Sequence, residues 1–214
     1  MALNFKDIKG KAEKAGPSRI KFVNGINKFR LVGDMLPMYV YWVPLADGSG
    51  SVPVECLGFN RDLEKFENKE KDWVNVYFPE MKCSWAYKSL AIDRTDGKVK
   101  AVDHKKKLLG DIVKFAKNLG DPTDMDAGWD IIAERKKTGP AAFNVEYSLE
   151  FGDLKASALT EEERAAFAEA DSLDVMFKRQ TPEEQKAFLL SKCVGEESPS
   201  DEEVPEEFGG DDIA

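Results

Sequence analysis

Histidine occurs once and cysteine three times in 214 residues, and this scarcity removes whole classes of chemistry. His104 stands between Asp103 and three lysines with no nucleophile or closed pocket in its neighbourhood. It therefore reads as a surface imidazole at a strand–helix junction rather than a general base. Cys56, Cys83 and Cys193 lack the close CxxC pairing by which a zinc site is recognised, and an odd set makes no disulfide framework. They read as buried, reduced thiols of an intracellular protein. There is no Walker A loop, and Gly48-Ser49-Gly50 is a turn rather than a phosphate cradle. No apolar run approaches the roughly 18–20 residues of a membrane helix. No apolar segment follows the first charged residues, so a secretory leader is not expected. Neither metal, cofactor nor enzymatic activity is expected.

Basic residues are missing from one place in particular. Residues 196–214 carry nine acidic side chains and not a single lysine or arginine, which equals the net charge of −9 of the whole chain. The remainder is formally neutral, with 31 basic and 31 acidic groups, yet its first thirty residues carry a net charge of +6. A basic head, a neutral middle and an acidic end suit a protein that meets a polyanion and carries a polyanion mimic of its own.

The middle is rich in strand signals. Phe29, Leu31 and Met35 precede the aromatic and β-branched run Tyr39-Val40-Tyr41-Trp42-Val43. A turn at Asp47-Gly48-Ser49-Gly50 leads to a return strand at 52–57, placed at a sheet edge by Pro53. Residues 60–80 are charged, with scattered aromatics, and read as an insertion of helix or loop. Residues 83–94 alternate, Thr95-Asp96-Gly97 turns, and 98–102 returns, which makes a hairpin. Leu108, Ile112, Phe115, Ala116 and Leu119 then fall on one helical face, stopped by Gly120. A strand from Trp129, a basic turn at Arg135-Lys136-Lys137-Thr138-Gly139-Pro140 and an alternating strand at 143–151, with Tyr147 and Phe151 in the core, complete the sheet. Thr160 with Glu163 and Thr181 with Glu184 fit capping boxes of two short helices that dock on the sheet.

The expected fold class is α+β, mainly β with α additions: an OB-like, partly open antiparallel barrel of about six strands with a central helix and C-terminal helices. The organisation expected is a basic N-terminal arm (1–27), the barrel core (28–154), a helical C-terminal appendage (155–195) and a disordered acidic tail (196–214).

Cations and flat side chains alternate along the chain as single-stranded nucleic acid requires. Lysine and arginine neutralise phosphates with release of counterions, and aromatic rings stack on unpaired bases with little sequence preference. Lys28, Arg30, Tyr39, Tyr41 and Trp42 form one such segment. Lys82, Trp85, Tyr87 and Lys88, with Arg94, Lys98 and Lys100 at the hairpin end, form a second. Lys105-Lys106-Lys107, with 135–137 as a neighbour, forms a third. The bland alternatives are core aromatics and solvated lysines; Trp85 and Tyr87 share a strand face, and one face must pack inward. In the tail, Glu206, Glu207, Phe208, Asp211, Asp212 and Ile213 suit a short motif that docks on a basic, apolar-lined pocket of another protein. The same segment could compete with nucleic acid for the body's own basic groove.

Several phrases carry a resemblance. Lys28-Phe29-Arg30-Leu31-Val32-Gly33, Tyr39-Val40-Tyr41-Trp42-Val43-Pro44, Val52-Pro53-Val54-Glu55-Cys56-Leu57, Phe78-Pro79-Glu80-Met81-Lys82-Cys83-Ser84-Trp85-Ala86-Tyr87 and Gly120-Asp121-Pro122-Thr123-Asp124 resemble bacteriophage-encoded single-stranded DNA-binding proteins. The likeness runs from about residue 28 to 190. It implies an OB core that coats single strands in replication and recombination in the host cytoplasm, and an acidic C-terminus that recruits replication proteins. A structural zinc site known in some members is not carried over, because the cysteine spacing is missing. RNA is a further partner that stacking grooves accept. The alternative from another class is an accessory or inhibitor protein that binds no DNA and acts through protein contacts or DNA mimicry.

Overall fold

A computed structural model of the chain describes residues 18–195, apart from 142, 143, 151 and 153. The basic arm through residue 17, the acidic tail, Phe143 and Phe151 lie outside the described residues. Strands β1 (Gly25–Leu36), β2 (Tyr39–Pro44), β3 (Ser51–Glu55), β4 (Ser84–Trp85), β5 (Lys88–Asp93), β6 (Val99–Asp103), β7 (Ile131–Lys137) and β8 (Val145–Leu149) are joined by helices α1 (Trp73–Tyr77), between β3 and β4, and α2 (Lys106–Leu119), between β6 and β7. Helices α3 (Glu161–Glu169), α4 (Leu173–Met176) and α5 (Pro182–Leu189) follow.

Two antiparallel sheets result, a five-stranded one in the order β6-β5-β1-β7-β8 and a three-stranded one in the order β3-β2-β4. Taking β1, β5, β6, β7 and β8 as first to fifth, the large sheet has the strand order of an OB barrel, with α2 between third and fourth strands. The barrel is open. The outer edge of β6 takes the segment before β1 instead: Ile20 N–H donates to Ala101 O at 2.8 Å and Ala101 N–H to Ser18 O at 2.9 Å. The small sheet, together with α1, is an elaborated connection between the first and second barrel strands. Its β3 is an edge strand, as Pro53 requires.

β1 is the spine. Its register against β5 shifts between Val32 and Met35, where Gly33 has φ +66° and a Cβ would stand 2.8 Å from the Phe167 ring. Only glycine satisfies both the backbone and the close approach. Phe29 and Leu31 point to one face and pack with Ala91, Leu108, Ile112, Trp129 and Ile131 under α2. Val32 points to the other, where Leu90, Ile92, Leu159 and Leu173 gather under α3 and α4. A third core of Tyr41, Val43, Val54, Phe59, Val74 and Leu189 fills the small lobe beneath α1 and α5.

Some expectations are corrected. The alternating run 83–94 is two strands, not one. Its first half pairs with β2 and its second with β1, and the chain crosses from lobe to barrel at Ala86, whose N–H donates to Met38 O. Arg135, Lys136 and Lys137 are strand rather than turn, paired with Tyr147, Glu146 and Val145. Of the expected turn only its end at Gly139-Pro140 bends, because charge does not bend a chain and those two residues do. Both capping boxes are formed, and Ser172 caps the additional helix α4. Among the described residues, no helix is long and apolar enough to cross a membrane.

His104 sits at the expected junction, but it is buried. Its Nε2 is 2.8 Å from Ser89 Oγ, and burial holds its pKa down at about 4. The neutral ring is favoured only in the folded state, so its contribution is complete above the unfolded value near 6.5 and is lost as pH falls toward 4. Urea unfolding is expected to show a loss of about 2 kcal/mol between pH 7.5 and pH 5. His104→Gln should flatten that slope; an unchanged slope would assign the loss to other groups.

Candidate nucleic-acid interface

The small lobe carries a continuous group of aromatic rings. β2 and β4 are paired with Tyr39 opposite Trp85. Trp85 stacks on Tyr87 with centroids 4.6 Å apart and planes 17° from parallel. Tyr87 meets Tyr39 edge-on at 6.5 Å. Tyr39 in turn lies 4.7 Å from both Phe59 and Phe66. Phe59 is buried, whereas Phe66 is 58% exposed, so the row runs from core to solvent. Tyr87 Oη donates to Glu64 Oε2 at 2.8 Å. Burial and that carboxylate raise its pKa to about 12, so the phenol stays neutral. Lys82 and Lys65 border the row, both exposed and, among the described residues, without a carboxylate at ion-pair distance.

The loop that carries Phe59 and Phe66 has little regular structure, and a buried charge cluster holds it. Glu55, at the end of β3, accepts from Arg61 Nε at 2.8 Å and Nη2 at 2.6 Å, and from Arg179 Nη1 at 2.8 Å. Both guanidinium groups also donate to backbone carbonyls, Arg179 to Leu57 and Phe59 and Arg61 to Phe177, and each reaches a second carboxylate at the rim, Glu70 for Arg179 at 3.4 Å and Asp174 for Arg61 at 3.8 Å. Asp72 closes the loop by accepting from Leu57 N at 2.9 Å and Val74 N at 3.1 Å. Gln185 of α5 ties both ends, accepting from Trp73 N and donating to Glu55 O.

The other predicted residues divide sharply. Trp42 is 56% exposed, on the opposite face of β2 from Tyr41 and across from Pro53. Tyr41 is buried, with Oη 3.3 Å from Cys56 Sγ and 3.1 Å from Asn75 Oδ1. Arg30 is wholly buried. It donates to Ser157 O at 2.5 Å and Asp124 O at 3.4 Å and lies 3.6 Å from Asp130. Lys88 is buried between Asp103 and the face of Phe177, and burial lowers its pKa. These three side chains are interior rather than surface groups: Arg30 and Lys88 lie on strands packed from both faces, and Tyr41 lies on the face of β2 that lines the small-lobe core. Arg94 is held by Asp130 and Glu163, and Lys28 reaches Asp130 at 3.4 Å. Lys100 is paired with Asp93 and Asp96, which raise its pKa. Lys98 is exposed. The predicted tail residues lie outside the described residues.

A probable ssDNA-binding protein of Escherichia phage T5 is 30% identical over a 221-residue alignment that covers 86% of this chain and 84% of the phage protein. The chain belongs to this phage single-stranded DNA-binding protein family. No family model matches it.

In this family member, Phe59 and Phe66 join the aromatic row without having been singled out in the sequence. They sit in a stretch without strand or helix period. The signal available was the adjacency of lysine and aromatic, as in Lys65-Phe66, which is the pattern used elsewhere in the chain. Among the described residues, no three His, Cys, Asp or Glu side chains gather as a metal site.

Removing the Glu55 charge takes from two partly buried arginines the carboxylate they share, leaving only rim contacts to Asp174 and Glu70. Glu55→Gln is expected to cost about 3–5 kcal/mol and to open residues 57–72 to limited proteolysis before the barrel. A stability within about 0.5 kcal/mol of the parent would show the cluster to be incidental.

Proposed function

We propose that the chain is a non-enzymatic protein that coats single-stranded DNA, and that the strand runs over the small lobe. The observation that carries this reading is the row Trp85-Tyr87-Tyr39-Phe66, which emerges from the core of an elaborated loop between the first and second barrel strands. OB barrels bind oligonucleotides through that loop, the loop between fourth and fifth strands, and the face of the second and third strands. Here the loop between fourth and fifth strands is entered by the exposed Lys136 and Lys137, and the second and third strands end at exposed Lys98. Bases stack on the rings; Lys82, Lys65 and these lysines meet phosphates. Membership of the phage family supports the same ligand. Trp42 is a further ring available to a strand that wraps past β3.

In this reading Arg30, Tyr41 and Lys88 act only by holding the platform. The tail, through Glu206, Glu207, Phe208, Asp211, Asp212 and Ile213, recruits replication or recombination proteins and competes with DNA for the exposed cations.

Titration with poly-dT should quench tryptophan fluorescence, with an affinity that falls steeply with salt and far exceeds that for duplex. A stacked base contributes ~1–3 kcal/mol, so the double substitution Trp85→Leu/Tyr87→Leu should weaken dT binding by roughly 5- to 150-fold. Absence of any quench in the parent protein at low salt would remove the proposal. Deletion of residues 196–214 should tighten dT binding at low salt, with the gain fading as salt screens the carboxylates; equal affinity at every salt concentration would argue against competition by the tail.

A further inference from the structure

A second aromatic site lies on the same lobe, at α1, away from the row already described. Trp73 and Tyr77 stack with centroids 5.8 Å apart and planes 24° from parallel. Two ammonium groups approach the same indole: Lys71 Nζ at 4.0 Å and Lys186 Nζ at 4.4 Å from its centroid. One comes from the loop before α1 and the other from α5.

Like charges do not gather on one ring without cause. A cation over an exposed aromatic face gains only about 0.5–1 kcal/mol, and here that gain is set against mutual repulsion. The nearby carboxylates do not relieve it. Asp72 is turned inward to the backbone amides of Leu57 and Val74. Glu70 pairs with Arg179, and Glu184 with Lys178 and the amide of Thr181. Among the described residues, neither Lys71 nor Lys186 has a carboxylate at ion-pair distance. The result is a positive site with its counter-charge missing, gathered on the indole of two stacked rings. Tyr39, Trp73 and Tyr77 all pack on the core of the small lobe, so the site and the first aromatic row share one rigid support.

We infer that Lys71, Lys186, Trp73 and Tyr77 form a second contact for the single strand, with the two ammonium groups meeting its backbone phosphates and the adjoining nucleotide lying against the rings. The inference rests on the proposed DNA-binding function. It gives α5 a part in binding, since Lys186 is its contribution, as well as in packing.

The test uses the full chain with Lys71→Gln/Lys186→Gln, the first side chain exposed and the second half-buried, and Lys71→Arg/Lys186→Arg as the charge-keeping control. Binding of dT oligonucleotides is measured across a salt series. Each ammonium that meets a phosphate adds about 0.7 to the slope of log affinity against log salt. The Gln pair should therefore lower the slope by roughly 0.7–1.4 and weaken binding near 0.1 M salt by about tenfold, while the Arg pair keeps both. Photocrosslinking of 5-iodouracil-substituted oligonucleotides to the parent protein should label Trp73 or Tyr77. If the parent binds dT but the Gln pair retains its slope and affinity, the second contact does not exist and the first platform stands. If the parent does not bind dT, the function and this inference fall together.

Discussion

One buried carboxylate fixes the long loop of the small lobe. Glu55 ends an edge strand and would be a liability there if it stood alone, since an unpaired charge in the interior costs several kcal/mol. Two arginines, one six residues along and one from beyond α4, converge on it, and each also donates to carbonyls of the loop or of the segment after α4. The geometry is that of a pin. The loop at 57–72, with few backbone hydrogen bonds of its own, is fastened where Phe59 can enter the core and Phe66 can stay in solvent. Gln185 extends the same pin to α1 and α5. The aromatic row depends on this ionic cluster for its shape.

The barrel and the lobe use their cations differently. Barrel cations are largely spent on internal carboxylates. Arg30, Arg94 and Lys28 surround Asp130, with Glu163 beside them; Lys88 faces Asp103; Lys100 faces Asp93 and Asp96. These pairs join β1, β5, β6, α3 and the approach to β7, and they hold a sheet that is open at its edge. The lobe and the loop ends keep unpaired lysines next to exposed rings. A formally neutral body can thus present locally positive surfaces, because neutralisation is a matter of contacts rather than of totals.

The helices after the barrel serve both parts. α3 and α4 cover the face of the large sheet on which Val32 and Leu90 lie, with Phe167 seated against Gly33. α5 closes the lobe through Leu189. The bulge in β1 is what allows this. It bends the spine where the helices cross, and a side chain at Gly33 would collide with them.

Periodicity and turn chemistry were written in the residues themselves. The helix at 106–119, the stop at Gly120, the turn at Gly97, the two capping boxes and the edge position of β3 all follow from local sterics and hydrogen bonding, so they could be read directly, as could the mixed, mainly antiparallel fold class. Interleaved lysines and aromatics pointed to Tyr39, Trp85 and Tyr87, which do come together. Which rings face water, and which cations are free, was decided only in three dimensions. Arg30, Tyr41 and Lys88 look like binding residues in a string, yet each is claimed by partners far along the chain, and His104 is buried by a strand that precedes it. Trp73 and Lys186 stand more than a hundred positions apart, and nothing local hints that they touch. Burial and charge pairing are long-range properties of the packed chain, and a sequence pattern carries the short-range ones.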